Sequence, residues 1–294
     1  MRRFKNILCV VADDCVNEVA IERATALARN NQAHLTIVRV IDEVPTDTKL
    51  LDRALFPEIK VKFVEQHHKD LQELVAPWKS QVEFQTKILT GISFLEVVRE
   101  VLRFGHDLVI KAADNDGFVD RVFGSNDMHI SRKCPCPLWL DNSEEIKTYS
   151  KVVAAVDVDD CYSGDELETR HALNLQILEM ASSLARSESA ELHIVVAYEG
   201  EVRPQREHSL NVLLSEAVEN IPVRTHLLEG VARKKVPALT NNIKASLLVM
   251  GTVARTGIPG FIMGNTAETI QNQIKCSLLA IKPPGFVTPV TIED

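Results

Sequence analysis

The chain repeats itself, and that property decides most of what it can fold into. Lys5 to Asp14 reads KNILCVVADD and Lys151 to Asp160 reads KVVAAVDVDD, matching at an offset of 146 with Lys on Lys and Asp-Asp on Asp-Asp. LARNNQAHLTIV from Leu27 matches LARSESAELHIV from Leu184 at an offset of 157, so the second copy has gained 11 residues between those blocks. Toward the end of each copy the offset is 140, which sets Gly117 on Gly257, Gly124 on Gly264, Cys136 on Cys276 and Leu138 on Leu278. Three blocks in one order identify a tandem duplication. The first copy is assigned to residues 1–141 and the second to 150–294, with the polar, unpatterned stretch from Asp141 to Ser150 as connector. At roughly 150 residues per domain, a chain of 294 residues fits two modest domains.

Within each copy, short apolar runs alternate with longer amphipathic segments. The runs are Ile7–Ala12, Leu35–Val40, Val82–Leu89, Leu108–Ile110 and Leu138–Leu140, then Val152–Val156, Leu192–Ala197, Val223–Leu228, Leu247–Met250 and Leu278–Ile281. Nearly continuous apolar runs of this length are expected of parallel strands buried on both faces. Between the first two runs of the second copy, Leu173, Ile177, Met180 and Leu184 fall on one face of a helix predicted over Thr169–Arg186. Five strands alternating with four helices imply right-handed crossovers. The fold class predicted is therefore α/β, with two tandem doubly wound parallel five-stranded sheets of Rossmann-like type. In such sheets ligands bind beyond the carboxyl ends of the strands, at the point where the strand order reverses.

Composition narrows the function classes. Hydrophobic residues make up 45% and charged residues 25%, ordinary globular values. No apolar stretch approaches the roughly 20 residues of a membrane span, and the N-terminus does not read as a secretory signal, so no membrane partner is expected and the expected location is cytoplasmic. A formal net charge of -8 argues against nucleic acid as a partner. The local basic clusters Arg2-Arg3 with Lys5 and Arg233-Lys234-Lys235 read as solvated surface. Of the six cysteines, Cys9, Cys15, Cys134, Cys136, Cys161 and Cys276, none forms C-x-x-C, so neither a zinc ribbon nor a thioredoxin-type pair is signalled. Cys134-Pro135-Cys136 could hold a soft metal, but no partner set is evident, and no metal site is assigned.

The most informative loop follows the fourth strand of the second copy, GTVARTGIPGFIMGNTAE from Gly251 to Glu268. Gly251, Gly257, Gly260 and Gly264 crowd into it, in a chain with 12 glycines in all. Asn265 or Thr266 is the expected N-cap of a helix reading Ala267 to Ile274. A glycine loop delivered onto a helix start is either a plain turn or an anion site, because free N–H groups converge there and the helix dipole favours negative charge. Neither a Walker A loop nor G-x-G-x-x-G is present.

Here the residues carry a resemblance. The spacing G-x-x-A-x9-G-N-T, from Gly251 through Ala254 to Gly264-Asn265-Thr266, resembles the ATP-binding signature of the universal stress protein family, G-x-x-G-x9-G followed by Ser, Thr or Asn. The similarity spans essentially the whole chain as two copies, and VMGTVARTG with GNTAE is most similar to the tandem E-type bacterial members. Ala254 departs from the pattern's second glycine, which an alanine of negative φ can replace. The resemblance implies an adenine nucleotide alpha hydrolase-like fold, with ATP, with or without Mg2+, held in the second copy. It also implies roles for Asp157, at the end of the first strand, toward ribose or adenine, and for backbone groups near Ala197. By itself such an Asp more often caps a turn.

The first copy departs further. In the repeat alignment Val11 stands at the Asp157 position, although Asp13 follows two residues on, while Lys111 stands at Gly251 and Asp114 at Ala254. Gly124-Ser125-Asn126 survives, so the helix start persists on a degenerate site that supports the fold or holds a different ligand. His67-His68 reads as helix surface, and so does His129. Glu268 reads as a favourable charge at the helix start, with a general base for hydrolysis as the rarer alternative. Three functions follow: an ATP-binding regulatory or protective stress module, a slow ATPase using the same pocket, and a structural partner-binding module. The family commonly pairs such domains through edge strands, so the duplication implies an internal pseudo-dimer, with further homodimerisation open.

Overall fold

The computed structural model describes residues 4–12, 17–42, 56–114, 123–142, 148–158, 164–200, 204–218, 220–252 and 264–292. The first copy runs β1 (Asn6–Val11), α1 (Asn17–Asn31), β2 (His34–Ile41), α2 (Phe56–Val75), β3 (Phe84–Thr90), α3 (Ser93–Phe104), β4 (Leu108–Ala112), α4 (Ser125–Lys133) and β5 (Leu138–Asp141). The second repeats the order with β6 (Lys151–Ala155), α5 (Asp165–Glu188), β7 (Glu191–Tyr198), α6 (Pro204–Ala217), β8 (Val223–Glu229), α7 (Ala232–Asn242), β9 (Leu247–Gly251), α8 (Asn265–Gln273) and β10 (Ser277–Ile281). All ten predicted strands are present. The helix predicted from Thr169 begins earlier, at Asp165, because three acidic residues in its first turn favour the dipole there. Arg233, Lys234 and Lys235 lie exposed on α7, while Arg2, Arg3, Asp13, Cys15, Gly117, Cys161, Ala254, Gly257 and Gly260 lie outside the described residues.

The two sheets are joined. The strand order is β3-β2-β1-β4-β5-β10-β9-β6-β7-β8, one sheet of ten strands. Every neighbouring pair is parallel except β5 with β10, which run antiparallel with Leu140 opposite Leu278 and Trp139 opposite Leu279. Left alone, β5 and β10 would each be an apolar edge with unpaired N–H and C=O groups. Pairing them satisfies both, so the duplication closes these two edges and leaves β3 and β8 at the ends of the sheet. Near the seam Ser131 Oγ donates to Gln271 Oε1 at 2.9 Å, two residues at equivalent repeat positions. Their approach marks a local two-fold relation between the copies.

Two apolar layers flank the sheet. One contains Ile7, Cys9, Val11 and Ile37 under α1, α2, α5 and α6. The other contains Leu8, Val10, Leu248 and Met250 under α3, α4, α7 and α8. Burial on both faces explains the unbroken apolar runs.

Strand pairing also fixes how the copies superpose, and it corrects the sequence alignment by one residue in two strands. Ile7 pairs with Leu35 and Leu108, and Val152 pairs with Leu192 and Leu247, so Ile7 and Val152 hold one station. Val11 therefore matches Val156, both in the same apolar layer, and Ala12 rather than Val11 stands opposite Asp157. The same asparagine bridge confirms it: the Ala12 N–H donates to Asn17 Oδ1 at 3.0 Å, and the Asp157 N–H to Asn174 Oδ1 at 3.1 Å. The matched Lys and Asp-Asp outscored the core pattern in the alignment. A one-residue slip, however, would turn every side chain to the wrong face.

Candidate functional site

The strand order of the second copy reverses between β9 and β6, and there the carboxyl ends of three strands meet. Ala155 of β6 pairs with both Val195 of β7 and Met250 of β9. Asp157 and Ala197 thus stand at one height, each two residues further on, with Gly251 one residue lower. The sequence-predicted residues of β6, β7 and β9 are brought to one sheet edge.

Asp157 is held from two sides. Asn174 of α5 donates from Nδ2 to the Asp157 carbonyl at 2.7 Å and accepts its N–H. Arg170, one turn earlier on α5, donates to Asp157 Oδ2 at 3.0 Å and to Glu166 Oε1 at 3.0 Å. Arg170 is buried and the Asp157 side chain 40% exposed, so the carboxylate is both neutralised and open to a ligand hydroxyl. Sequence reasoning missed Arg170 and Asn174. Their signal was the spacing of Glu166, Arg170 and Asn174 at i, i+4 and i+8, one helical face beside the strand end. A cavity of about 450 Å³ opens here between α5 and α6, lined by Asp157, Val158, Leu167, Arg170 and Leu213 among others.

Gly251 is glycine for a reason the motif did not supply. A Cβ there would stand 2.5 Å from Leu173 Cδ2 and 3.1 Å from its Cγ, so α5 packs directly on this backbone. The first copy has Ala112 at this station, and its counterpart of Leu173, Val16, lies outside the described residues. Gly251→Ala is accordingly expected to cost about 1–3 kcal/mol by overpacking, measured by urea unfolding. An unchanged midpoint would refute the close approach.

Gly264, not Asn265 or Thr266, is the N-cap of α8, at φ -63 and ψ 143 and with no side chain bonded to the cap. Asn265 and Thr266 are the first helical residues instead. A glycine cap has no side chain of its own to accept the first-turn N–H groups. The first copy resolves the same problem internally. Its α4 is also capped by a glycine, Gly124, followed by Ser125, but the Asp127 carboxylate accepts the Gly124 N–H at 3.2 Å and the Asp114 N–H at 2.8 Å. Asp127 is fully buried, and its other oxygen meets Lys111 Nζ at 2.9 Å. Lys111 also bonds Asp114 and the Ala112 carbonyl. Burial works against the Lys111 charge, but the Asp127 and Asp114 carboxylates outweigh it and hold the ammonium above the ordinary lysine range.

Lys111 therefore does not fill the space of Gly251. By pairing it matches Met250, since Val10 pairs with Lys111 where Ala155 pairs with Met250. Its side chain descends toward α4, and Asp127 matches Ala267 at the third position of the helix. Sequence reasoning missed Asp127, although an acid three residues after a helix cap is a recognisable signal. At the two stations the first copy has a buried ion pair, and the second has Met250 and Ala267, both in the core.

The remaining candidates resolve as packing. Glu268 forms an ion pair with Arg132 across the seam rather than standing ready as a base. His67 is half-buried edge-on to Phe63 with ring centroids 4.5 Å apart, and His68 Nε2 lies 3.3 Å from Thr86 Oγ1, so neither is plain surface. His129 stacks on Phe94 at 4.6 Å, its pKa lowered by burial and then by Lys133 and Arg132. Among the described residues, no group of three His, Cys, Asp or Glu side chains could hold a metal ion, and no helix is long and apolar enough to cross a membrane.

The comparisons agree with this architecture. The profile of the universal stress protein family matches residues 3–141 and again 149–282. Universal stress protein E of Escherichia coli K12 is 30% identical over 226 residues, 68% of each chain. The Salmonella typhi protein of the same name is 26% identical over 327 aligned positions, covering 100% of this chain and 99% of that one. Among solved structures, a universal stress protein of Archaeoglobus fulgidus superposes with a TM-score of 0.65 at 15% identity, covering 94% of this chain and 98% of that one. A Pseudomonas aeruginosa structure gives 0.74 at 24% identity, covering 96% and 94%. With two matches that together account for nearly all of its length, the chain belongs to the universal stress protein family, as a tandem of two of its domains.

Proposed function

We propose that the second domain binds ATP, with or without Mg2+, and that the protein acts as a nucleotide-responsive regulatory or protective module. One observation carries this reading. At matched helix starts the first copy supplies its own anion, the Asp127 carboxylate, while the second has Ala267 there and, among the described residues, a glycine cap with no side-chain bond. An external phosphate suits that second helix start, because its amides and its dipole favour an anion. Asp157, beside the apolar cavity, supplies an acceptor for a ribose hydroxyl or the adenine amino group.

Charge-assisted hydrogen bonds contribute roughly 1.5–3 kcal/mol each. Three of them with a buried base support dissociation constants between about 1 mM and 1 μM. Isothermal titration of the full chain with ATP is expected to give one site per chain in that range. Absence of saturable heat at millimolar nucleotide, or two equivalent sites, would overturn the proposal. Binding without turnover is favoured over a slow ATPase, because the acidic residue of the first turn of α8, Glu268, is committed to Arg132. ATP should be recovered intact from the same incubation.

A further inference from the structure

A second reactive cluster lies at the seam, away from the proposed nucleotide edge. Cys134 ends α4 and Cys136 precedes β5, and Pro135 between them turns both side chains into the core, with sulfurs 3.5 Å apart. The other described cysteines, Cys9 and Cys276, are buried at separate points of the sheet. Ile274 occupies the Cys134 position in the second copy, so the pair exists in the first copy alone.

The cluster's cation comes from the other domain. Lys282, just past β10, is buried and donates from Nζ to the carbonyls of Ser131 and, at 3.2 Å, of Arg132. These belong to the last turn of α4, whose negative dipole end would otherwise oppose a thiolate. The ammonium also sits 4.5 Å from the centre of the Phe286 ring. Burial pushes Lys282 down to about 8, against the pull of the two thiols. The hydrogen bond from Cys136, with a further contribution from Lys282, holds Cys134 below the usual thiol range despite burial.

We propose that Cys134 and Cys136 are a peroxide-reactive dithiol that closes to a disulfide, with Lys282 as its positioning residue. After the first proton leaves, the charge rests on the Cys134 sulfur, and Cys136, held well above the usual thiol range by its hydrogen bond to Cys134 and by burial, keeps its proton across the 3.5 Å S···S contact. Both side chains are buried, Cys136 keeping 8% exposure. The Cys134 thiolate attacks one peroxide oxygen, the O–O bond breaks, and the departing hydroxide takes a proton to become water. The Cys136 sulfur, losing its own proton, then displaces hydroxide from the Cys134 sulfenic acid, which leaves as the second water. Two thiols lose two electrons, and hydrogen peroxide is reduced to two waters. A reactive cysteine of this kind needs an electropositive setting and a resolving thiol nearby, and both are present.

The test treats the full-length protein with a modest excess of hydrogen peroxide, denatures it with an alkylating agent, and follows the tryptic peptide beginning at Cys134. Expected is loss of both alkyl groups and of two hydrogens in mass, reversed by dithiothreitol, while the Cys9 and Cys276 peptides stay alkylated. Lys282→Met should slow the reaction about tenfold or more through loss of thiolate. Cys136→Ser should accumulate a dimedone-reactive sulfenic acid at Cys134. A fully alkylated peptide, or oxidation no faster than at Cys9 and Cys276, would overturn the site. A folded Lys282→Met protein reacting at the native rate would overturn the role of the lysine, and the native protein alone decides the dithiol.

Discussion

Lys111→Met is expected to destabilise the protein by about 3–5 kcal/mol, and adding Asp127→Ala should restore most of that loss. Lys111 and Asp127 are both buried, 2% and 0% exposed, and meet at 2.9 Å. Removing one partner leaves a charge with no counter-ion in a medium that cannot solvate it, and breaking such pairs typically costs about 3–5 kcal/mol. Removing both replaces the pair with what the second copy already uses at those stations, Met250 and Ala267. Replacement of a buried pair by packed apolar groups is often neutral or stabilising. The double variant still loses the acceptor for the Gly124 and Asp114 amides, a cost of about 1 kcal/mol per hydrogen bond. Urea unfolding of the two single variants and the double gives the coupling energy directly. Additive losses would refute the account of the first copy as self-liganded by an internal ion pair.

The second large effect concerns ligand affinity. Gly264→Asp should weaken ATP binding by more than about 100-fold, while Gly124→Asp leaves it unchanged. The φ of -63 at Gly264 is open to any residue, and Asp is among the preferred helix caps, so the fold is expected to survive. The new carboxylate would accept first-turn amides, placing an internal anion at the helix start as Asp127 does at the Gly124 cap amide of the first copy, and would repel phosphate from the same spot. Loss of two charge-assisted hydrogen bonds at roughly 1.5 kcal/mol or more each accounts for the factor. Circular dichroism controls for folding, and titration calorimetry reads the affinity. A folded Gly264→Asp protein with native affinity would place the nucleotide elsewhere.

The sequence by itself determined the duplication, the order of strands and helices, and the residues that stand at the carboxyl ends of the strands. These rest on hydrophobic periodicity and on glycine spacing, which are local properties that survive small errors of alignment. Asp157, Ala197 and Gly251 are for that reason legible as strand-end residues from the amino-acid pattern alone. Only the tertiary structure decided the register that puts Ala12 opposite Asp157 and Lys111 opposite Met250. It likewise decided the fusion of ten strands through β5 and β10, the Leu173 contact that requires Gly251, and the capture of Glu268 by Arg132. Each of these depends on which side chains meet across the core, often more than 100 residues apart in sequence. That choice is made by packing and by pairing of buried charge, and a local pattern carries no record of it.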